Sequence, residues 1–585
     1  MIVGIDLGTS TSEVAFLDKD GQVVVIPNEN GEVIIPSVVH IKHNGRALVG
    51  SEAKEFLFTR PESTFMEVKR LFGTDQQLTA HKKSYDSEEI QAFIIQYLVD
   101  VAAEHTGEDV SGAVITVPAY FTDVQRKQTI RAGTLAGIKV ERVINEPTAA
   151  ALDYGLANLE ECEYILVYDF GGGTLDVTVL ELFEGVIDVK SSSGNNRLGG
   201  KDFDEILMEH IAGSDYEAIA ADPRSLMKLK QAAIEAKITL SEAETAVVRL
   251  PFITADISIN KSVTRATFEA LINPLISTTA AQIDLALADA KLSPGELNKV
   301  ILVGGTTRIP AVRKFIAEKL GVEIEAKHTD SPELMVVRGA AIQAAILQGS
   351  IKDENNVVLT DVCPFTLGVI AVSEEGLKVD PLIRRNVTIP YEYSKVYTAM
   401  EEYQEMFLIE IYQGESVYPQ ENTRIGQLSL EKLPQRQNQL AKAEVTFSYD
   451  VNGILNVKAR SLGNDNTVSA AIDINNNDLP SRPPIKLGDW EQAKNASEYR
   501  SLINEVEEIG DLYLHTPLIT EGRLYIMLDD CNELKADLIF GDEEAAAKRA
   551  EDIRMFLDMW KEKEETLKEM MQRFLDKNSE LDDLE

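Results

Sequence analysis

Three glycine-rich turns, each at the end of an apolar β-type run, constrain the fold of this chain more than any other feature. The first spans residues 2–10 (IVGIDLGTS), the second 165–176 (ILVYDFGGGTLD) and the third 300–310 (VILVGGTTRIP). Glycine has no Cβ, so the backbone N–H groups of such turns can approach an anion closely. Three turns in this order predict a cleft that holds the phosphates of a nucleotide from three sides.

Polar side chains accompany the turns. Each turn carries a hydroxyl, from Thr9, Ser10, Thr174 or Thr306, and Asp6 and Asp169 stand where strands end. Carboxylates beside phosphates repel one another unless a hard cation lies between them, so we expect Mg²⁺ held by Asp6 and Asp169 mostly through water. The turns contain neither a dinucleotide-binding Gly-x-Gly-x-x-Gly nor a P-loop motif, which excludes the Rossmann and P-loop interpretations. The alternative is three ordinary turns.

Composition narrows the class of protein. The chain has 585 residues, too many for one core, and a net charge of −39, which argues against nucleic acid or an anionic membrane as the main partner. Cys162, Cys363 and Cys531 lie far apart and predict neither a disulfide framework nor a zinc site. We find no signal peptide or membrane span in the sequence and expect a cytoplasmic protein.

The pattern of apolar and polar residues changes along the chain. Residues 1–352 alternate apolar β-type runs with helical patterns and contain two halves, each beginning with an Asp-containing glycine turn. Residues 353–362 form a polar linker that ends in an apolar run, VVLT followed by Asp361. Residues 363–482 have alternating strands with tight turns such as Asn452-Gly453, which predict a β-sandwich, and 483–585 are charged with helical periodicity.

Further motifs resemble those of the 70-kDa heat-shock chaperones, the DnaK-type family. They are VPAYF at 117–121, NEPTAAA at 145–151 and LGGKDFD at 198–204, in addition to the three turns. Residues 361–369 and the FSYD run at 447–450 look most like the HscC-type branch. The resemblance extends to about residue 480, and the helical C-terminal part matches more weakly.

The resemblance implies a multidomain fold and an activity. The fold is a duplicated α/β, actin-like and ribonuclease-H-like ATPase domain, then an all-β sandwich, then an α-helical C-terminal lid. The activity is that of an ATP-dependent chaperone, in which ATP hydrolysis controls the binding of extended hydrophobic peptides by the sandwich. ATP or ADP and Mg²⁺ are the implied cofactors, with K⁺ a further candidate. The implied partners are client polypeptides and a J-domain co-chaperone.

Residue roles follow from the same resemblance. The catalytic set is Lys69, Glu146, Asp169 and Thr174. The phosphate and nucleoside contacts are Gly8, Thr9, Ser10, Gly171, Gly172, Gly173, Gly200, Lys237, Ser241, Gly304, Gly305, Thr306 and Arg308. Coupling to the linker passes through Pro118 and Arg126, and Arg142 and Asp361 match positions where J-domain proteins act.

Several residues depart from the family pattern. Ile234 stands where the family has a glutamate near the ribose, and Lys201 replaces an acidic residue. From these we expect weaker nucleotide affinity and faster release than in DnaK, without need of an exchange factor. Thr360 makes the linker less apolar, which predicts weaker docking on the ATPase domain.

The peptide groove also departs from the pattern. Alignment predicts that it is lined by Val369, Ala371, Val372, Tyr397, Met400, Phe407, Ile409 and Ile454. Phe407 and Met400 are bulkier than the usual residues, and an overfilled pocket costs ~1–3 kcal/mol. We therefore expect a narrow range of clients. The alternative is that these residues belong to the core.

Two other classes of protein share the phosphate turns. A sugar kinase would need a catalytic aspartate beside a sugar pocket, and an actin-like filament protein would lack the sandwich. ATPase activity measured with and without a hydrophobic peptide and a J-domain separates the three hypotheses.

Overall fold

The computed structural model describes most of the chain outside the C-terminal region. The described residues are 1–42, 47–156, 162–183, 185–323, 332–350, 358–373, 376–401, 403–434, 440–464, 466–471, 496–513, 531, 534, 538, 546–551, 553–555 and 557. They divide into two compact units, one of residues 1–370 and 379–474, the other of 371–378 and 475–585. The predictions for linker residues 353–357 and for much of the lid lie outside the described residues.

The first unit begins with an α/β layer that we call lobe I, residues 1–156. Its elements are β1 (Ile2–Leu7), β2 (Thr11–Leu17), β3 (Val23–Val25), β4 (Ile35–Pro36), β5 (Val38–Ile41), β6 (Ala47–Val49), α1 (Ser51–Lys54), β7 (Thr64–Met66), β8 (Leu78–Ala80), β9 (Lys83–Tyr85), α2 (Ser87–Thr106), β10 (Gly112–Val117), α3 (Asp123–Leu135), β11 (Lys139–Asn145) and α4 (Glu146–Leu156). The main sheet has the order β11-β10-β1-β2-β3, with β4 paired to β2. Strand β1 is apolar along most of its length because it lies inside this sheet.

A second α/β layer follows, which we call lobe II, residues 162–323. Its elements are β12 (Glu163–Phe170), β13 (Leu175–Phe183), β14 (Val186–Asn195), α5 (Gly200–Ala212), α6 (Tyr216–Ala220), α7 (Pro223–Glu242), β15 (Thr245–Leu250), β16 (Ile259–Thr264), α8 (Arg265–Thr278), α9 (Ala280–Ala290), β17 (Lys299–Val303) and α10 (Pro310–Leu320). After it come α11 (Met335–Gln348) and the linker strand β18 (Val358–Leu359). The sheet order is β17-β12-β13-β14-β18.

The two lobes repeat one topology. In each, an antiparallel meander of three strands (β1-β2-β3 and β12-β13-β14) has a parallel strand beside its first strand, β10 or β17. One buried cluster, which includes Ala149, Val167 and Ala340, joins α4 and α11 to strands of both lobes. The sequence-based expectation of a duplicated α/β fold agrees with this topology.

The rest of the first unit belongs to a β-sandwich, two strands of which run into residues 371–378 of the second unit. Its strands are β19 (Asp361–Val362), β20 (Leu367–Ser373), β21 (Gly376–Ile383), β22 (Thr388–Ile389), β23 (Tyr391–Thr398), β24 (Phe407–Gln413), β25 (Thr423–Leu430), β26 (Lys442–Tyr449), β27 (Leu455–Ser461) and β28 (Thr467–Ala471). Two four-stranded sheets, ordered β21-β20-β24-β25 and β23-β26-β27-β28, enclose one apolar core. The predicted Asn452-Gly453 turn joins β26 and β27, which pair antiparallel from Tyr449 opposite Leu455.

The second unit is helical where it is described beyond residue 475. Helix α12 (Ala496–Tyr513) contributes Tyr499, Ile503 and Val506 to a buried cluster with later residues, including Cys531 and Ile553. The apolar periodicity predicted for this region therefore forms a packing face. Phe556 and Trp560, which the sequence places at helical spacing with Ile553 and Leu557, lie outside the described residues.

One helical stretch of the described chain, Arg265–Ala290, is long and apolar enough to cross a membrane by length and composition alone. It comprises α8 and α9, and its residues Phe268, Ile272 and Ile283 lie in the buried core of lobe II.

Candidate active site

The first and second glycine turns face each other across the two lobes. A Cβ on Gly172 would overlap the Ser10 hydroxyl, and a Cβ on Gly173 would lie 2.9 Å from Thr9 Oγ1. The Gly171 N–H donates to the Thr174 carbonyl at 3.0 Å, which closes the second turn tightly. Only glycine permits so close an approach, and the structure therefore brings Gly8–Ser10 and Gly171–Thr174 together as two walls of one cleft.

The third turn lies against the second. Gly304 has φ of 81°, and a Cβ there would overlap the Phe170 carbonyl next to Asp169. The Thr306 hydroxyl donates to the Gly171 carbonyl at 2.7 Å, and the Gly200 N–H donates to the same carbonyl at 3.0 Å. The N-terminus of α5 and the third turn thus lie together against the second turn.

Lys69 lies at the centre of this arrangement. It belongs to the 3-10 helix Val68–Leu71 that follows β7, and it is 2% exposed. Its Nζ donates to Glu146 Oε1 at 2.7 Å, at the N-terminus of α4, and lies 5.3 Å from the centre of the Phe121 ring. The structure therefore brings two members of the predicted catalytic set into direct contact.

Buried carboxylates surround the lysine. Burial raises the pKa of Asp6 to about 7, repulsion from Glu146 adds to this, and Lys69 opposes it. Burial, with repulsion from Glu146, Asp176 and Asp6, holds the pKa of Asp169 well above its usual range. The Thr116 hydroxyl donates to Asp6 Oδ1 at 2.5 Å. The charge of Lys69 acts against this repulsion and lowers the pKa of both aspartates.

Asp176 is a member of this cluster that the sequence analysis missed. It stands directly opposite Asp169 in the β12–β13 pair. Burial and then repulsion from Glu146 raise the pKa of Asp176 to about 7; its Oδ1 accepts from the Tyr120 N–H, and its buried Oδ2 has no hydrogen-bond partner. The feature that could have revealed Asp176 was the antiparallel return of the chain after the glycine turn, which sets Asp176 opposite Asp169.

These features fit a magnesium–nucleotide complex. An orphaned buried carboxylate oxygen and mutually repelling acids beside a glycine cradle are what a divalent cation with bound phosphates would compensate. Among the described residues, no group of three or more His, Cys, Asp or Glu side chains is arranged to ligate a metal directly. Asp6 and Asp169 are the residues that would hold Mg²⁺ through its water ligands.

The predicted nucleoside side is occupied by α7 and the third turn. Lys237 Nζ donates to Asp204 Oδ2 at 2.8 Å and to the Gly200 carbonyl at 3.1 Å. The Ser241 hydroxyl donates to the Lys237 carbonyl within the same helix, and Ile234 is partly buried one turn earlier. Gly305 and Arg308 are exposed at the ends of the 3-10 helix Gly305–Arg308. Lys201, the other departure, pairs with Glu67 at 2.9 Å.

The predicted coupling residues form a buried network that reaches the linker. Arg126 is 2% exposed and donates to Asn145 Oδ1 at 2.6 Å and to the Ala119 carbonyl, one residue after Pro118. Asn145 Nδ2 in turn donates to Asp361 Oδ2 at 2.7 Å. Burial lowers the pKa of Arg142, and the nearby charge of Asp361 opposes that shift. The four predicted positions therefore lie around one contact, with Asn145 as an additional member.

The sandwich docks on both lobes through residues that the sequence analysis did not single out as contacts. Asn452 Oδ1 accepts from the Val143 N–H at 3.1 Å in lobe I. Asn386 and Arg385 both donate to the Asp289 carboxylate of α9 in lobe II, at 2.8 and 2.9 Å. Turn residues on the surface of one domain carry no sequence signal for the domain they meet.

The linker is docked on lobe II by strand pairing and hydrogen bonds. Strand β18 pairs in parallel with β14, Leu359 lying opposite Ile187, and the Thr360 N–H donates to the Ile187 carbonyl at 3.0 Å. The Thr360 hydroxyl donates to Asp188 Oδ1. The hydroxyl adds a directional hydrogen bond where an aliphatic side chain would only pack, and docking weaker than in the family stays a prediction.

The residues predicted to line the peptide groove have different environments. Val369 and Ile409 lie in the sandwich core, and Phe407 and Tyr397 are partly buried against it. The Tyr397 hydroxyl donates to Asp380 Oδ2 at 2.6 Å. Ile454 is 8% exposed and Met400 67% exposed. Ala371 and Val372 belong to the second unit, where Val372 is exposed.

Comparison with known proteins identifies what this chain resembles. The family model described as Hsp70 protein matches residues 2–582. The chaperone protein DnaK of Thermotoga petrophila is 43% identical over 481 residues, covering 80% of each chain, and that of Thermotoga maritima gives the same values. DnaK of Thermotoga neapolitana is 42% identical over the same length. The matches include the linker and sandwich, which the kinase and filament hypotheses do not explain, whereas the HscC-type branch stays a prediction.

Proposed function

This chain belongs to the Hsp70 family, and we propose that Lys69, Glu146 and the three glycine turns form the ATPase centre that drives its chaperone cycle. The protein is an ATP-dependent chaperone and an ATPase that uses Mg²⁺. The observation that carries the assignment of residues is the 2.7 Å contact between Lys69 Nζ and Glu146 Oε1, buried beside Asp169 and the turns. Phosphoryl transfer depends mainly on positioning and on charge stabilisation, which this arrangement supplies.

Each group has a distinct part in the proposal. Backbone N–H groups of Gly8–Ser10 and Gly171–Gly173, with the Thr174 hydroxyl, hold the phosphates. Lys69 places positive charge where negative charge develops, and Glu146 orients it. Mg²⁺, when bound, neutralises phosphate charge, and Asp6 and Asp169 hold its water ligands. Gly200, Lys237, Ser241, Gly304–Thr306 and Arg308 lie around the nucleoside.

Replacement of the lysine tests the assignment. Lys69→Ala should lower the rate of ATP hydrolysis ~10²–10³-fold, as loss of other preorganised donors does. Hydrolysis is measured in a single turnover with the full chain and Mg²⁺, and nucleotide binding is measured separately. Lys314→Ala, an exposed lysine on α10, is the control. Hydrolysis at the normal rate in Lys69→Ala would show that the lysine has no catalytic role.

The proposed coupling route runs from the cleft to the linker. Glu146 follows Asn145 directly, and Asn145 contacts both Arg126 and Asp361. A movement of Glu146 therefore reaches the linker residue Asp361 through one neighbouring residue, Asn145. A J-domain co-chaperone acting near Arg142 and Asp361 would bias this contact.

Substrate binding by the sandwich is proposed to be selective. Extended peptides would add main-chain hydrogen bonds and fill side-chain pockets, with Phe407 and Met400 restricting the size of the bound side chain. Release of ADP without an exchange factor stays a prediction. Ile234 supports it, because this side chain offers no carboxylate to a ribose. The ion pair of Lys201 with Glu67 opposes it, because this pair favours a closed cleft. A cytoplasmic location is part of the same proposal.

A further inference from the structure

Glu67 has an unusual environment for a residue two positions before the catalytic lysine. It ends the segment after β7 and has φ of 60°, a left-handed conformation that residues other than glycine rarely adopt. Its side chain is only 10% exposed. Something in the fold must hold this residue in place, because neither its backbone conformation nor the burial of its charge is favourable alone.

Two lysines from the opposite lobe hold it. Lys201 Nζ of α5 lies 2.9 Å from Glu67 Oε2, and Lys230 Nζ of α7 lies 2.7 Å from Glu67 Oε1. Each carboxylate oxygen thus has its own cation, and both lysines are themselves mostly buried, at 25% and 16% exposed. The pairs bridge lobe I and lobe II over the cleft.

Neighbouring contacts tie the same segment to lobe II. Arg70 donates to Asp202 Oδ2 at 2.9 Å and to the Gly173 carbonyl at 3.1 Å. Met227 of α7 packs against an apolar cluster of lobe I that includes Val38 and Leu57. The segment is therefore fixed to lobe II on both sides of Lys69, whose own partner Glu146 belongs to lobe I.

We propose that Glu67 is a positioning residue for Lys69. The ion pairs of Glu67 with Lys201 and Lys230 make the catalytic placement of Lys69 depend on closure of the two lobes. The Glu67 carbonyl accepts from the Arg70 N–H at 3.1 Å, so the residue anchors the short helix that carries Lys69. When the lobes separate, the ion pairs break and the helix loses this anchor. Hydrolysis is thereby confined to the closed cleft. The inference rests on the proposed catalytic role of Lys69.

The test is a mutant cycle in the full-length chain with ATP and Mg²⁺. Glu67→Gln should lower the single-turnover rate on the order of 10-fold, because a displaced catalytic group loses orientation, while KM changes less than the rate. It should also release a fluorescent ADP analogue faster. Lys201→Gln combined with Lys230→Gln should reproduce both effects, and adding Glu67→Gln to this pair should add little, because all three residues act as one unit. Lys201→Arg with Lys230→Arg should keep the rate near normal.

The controls distinguish the possible failures. Lys314→Gln, an exposed lysine, should leave both rates unchanged, and thermal unfolding of each variant is recorded in parallel. Additive effects in the cycle, or a normal rate in Glu67→Gln, would overturn the positioning role, even where the melting temperature falls. If Lys69→Ala hydrolyses normally in the same assay, the proposed active site itself fails; if it is inactive while Glu67→Gln is normal, only the positioning role fails.

Discussion

Individual carboxylates show how register decides the chemistry of a cleft. Asp6 and Asp169 are recognisable in the sequence because each follows an apolar run and precedes a glycine turn. Asp176 joins them because β13 returns antiparallel to β12 and places it opposite Asp169. Its role depends on a cross-strand pairing of two residues seven positions apart, so composition and spacing alone did not reveal it.

At the scale of single residues, Asp176→Asn should make the nucleotide-free protein more stable at neutral pH. Burial raises the pKa of Asp176 to about 7 from 3.8, so the folded state binds more protons than the unfolded state between these values. The free energy of unfolding therefore falls as pH rises from about 4 to about 7. The asparagine variant should lack this contribution, which is on the order of a few kcal/mol at ~1.4 kcal/mol per pKa unit. Urea unfolding without nucleotide at pH 5 and pH 8 measures it.

The matched control is Asp284→Asn, an exposed aspartate of α9. It should leave the pH dependence of the unfolding free energy unchanged. An Asp176→Asn variant that follows the parent protein at both pH values would contradict the burial of a protonated carboxyl at this site.

At the scale of elements, local signals predicted the hairpins and missed what their turns contact. The Asn452-Gly453 turn was recognisable because both residues favour the left-handed backbone of a tight hairpin. The same Asn452 accepts from the Val143 N–H of β11, more than 300 residues earlier. A turn is determined by adjacent residues, whereas its docking partner is determined by how whole domains meet.

The linker strand offers an element-scale prediction. Thr360→Val keeps the size of the side chain and removes its hydrogen bond to Asp188. A net hydrogen bond is worth about 1 kcal/mol, so docking of β18 on β14 should weaken roughly fivefold. Hydrogen exchange at residues 358–362 in the presence of ATP reports the docked fraction. Thr245→Val, at an exposed position of β15, is the control, and unchanged exchange in Thr360→Val would contradict the role of the hydroxyl.

At the scale of the whole molecule, the sandwich contacts lobe I through Asn452 and lobe II through Arg385 and Asn386. The second of these contacts converges on one carboxylate, Asp289 of α9. Because a single aspartate accepts from both residues, its removal takes a charged acceptor from each of them at once, although Arg385 keeps its ion pair with Glu415. Docking on both lobes means that relative movement of the lobes must alter at least one contact.

Asp289→Ala should therefore uncouple ATP binding from peptide release. ATP-triggered release of a fluorescent peptide should slow about tenfold, since loss of charged hydrogen bonds costs ~1.5–3 kcal/mol. Peptide affinity in ADP should stay unchanged. Asp284→Ala, on the same helix but paired with Lys319, is the control. Normal release in Asp289→Ala would mean that this contact does not carry the signal.

By itself the sequence determined the duplicated α/β architecture, the sandwich and the phosphate turns, because strand periodicity and glycine turns depend on neighbouring residues. Lys69, Glu146 and Arg126 followed from family motifs. Tertiary structure alone decided the Glu67 ion pairs with Lys201 and Lys230, the contact of Thr360 with Asp188 and the docking at Asp289. These contacts join residues far apart in the chain, and charge complementarity between surfaces leaves no periodic pattern that a sequence could display.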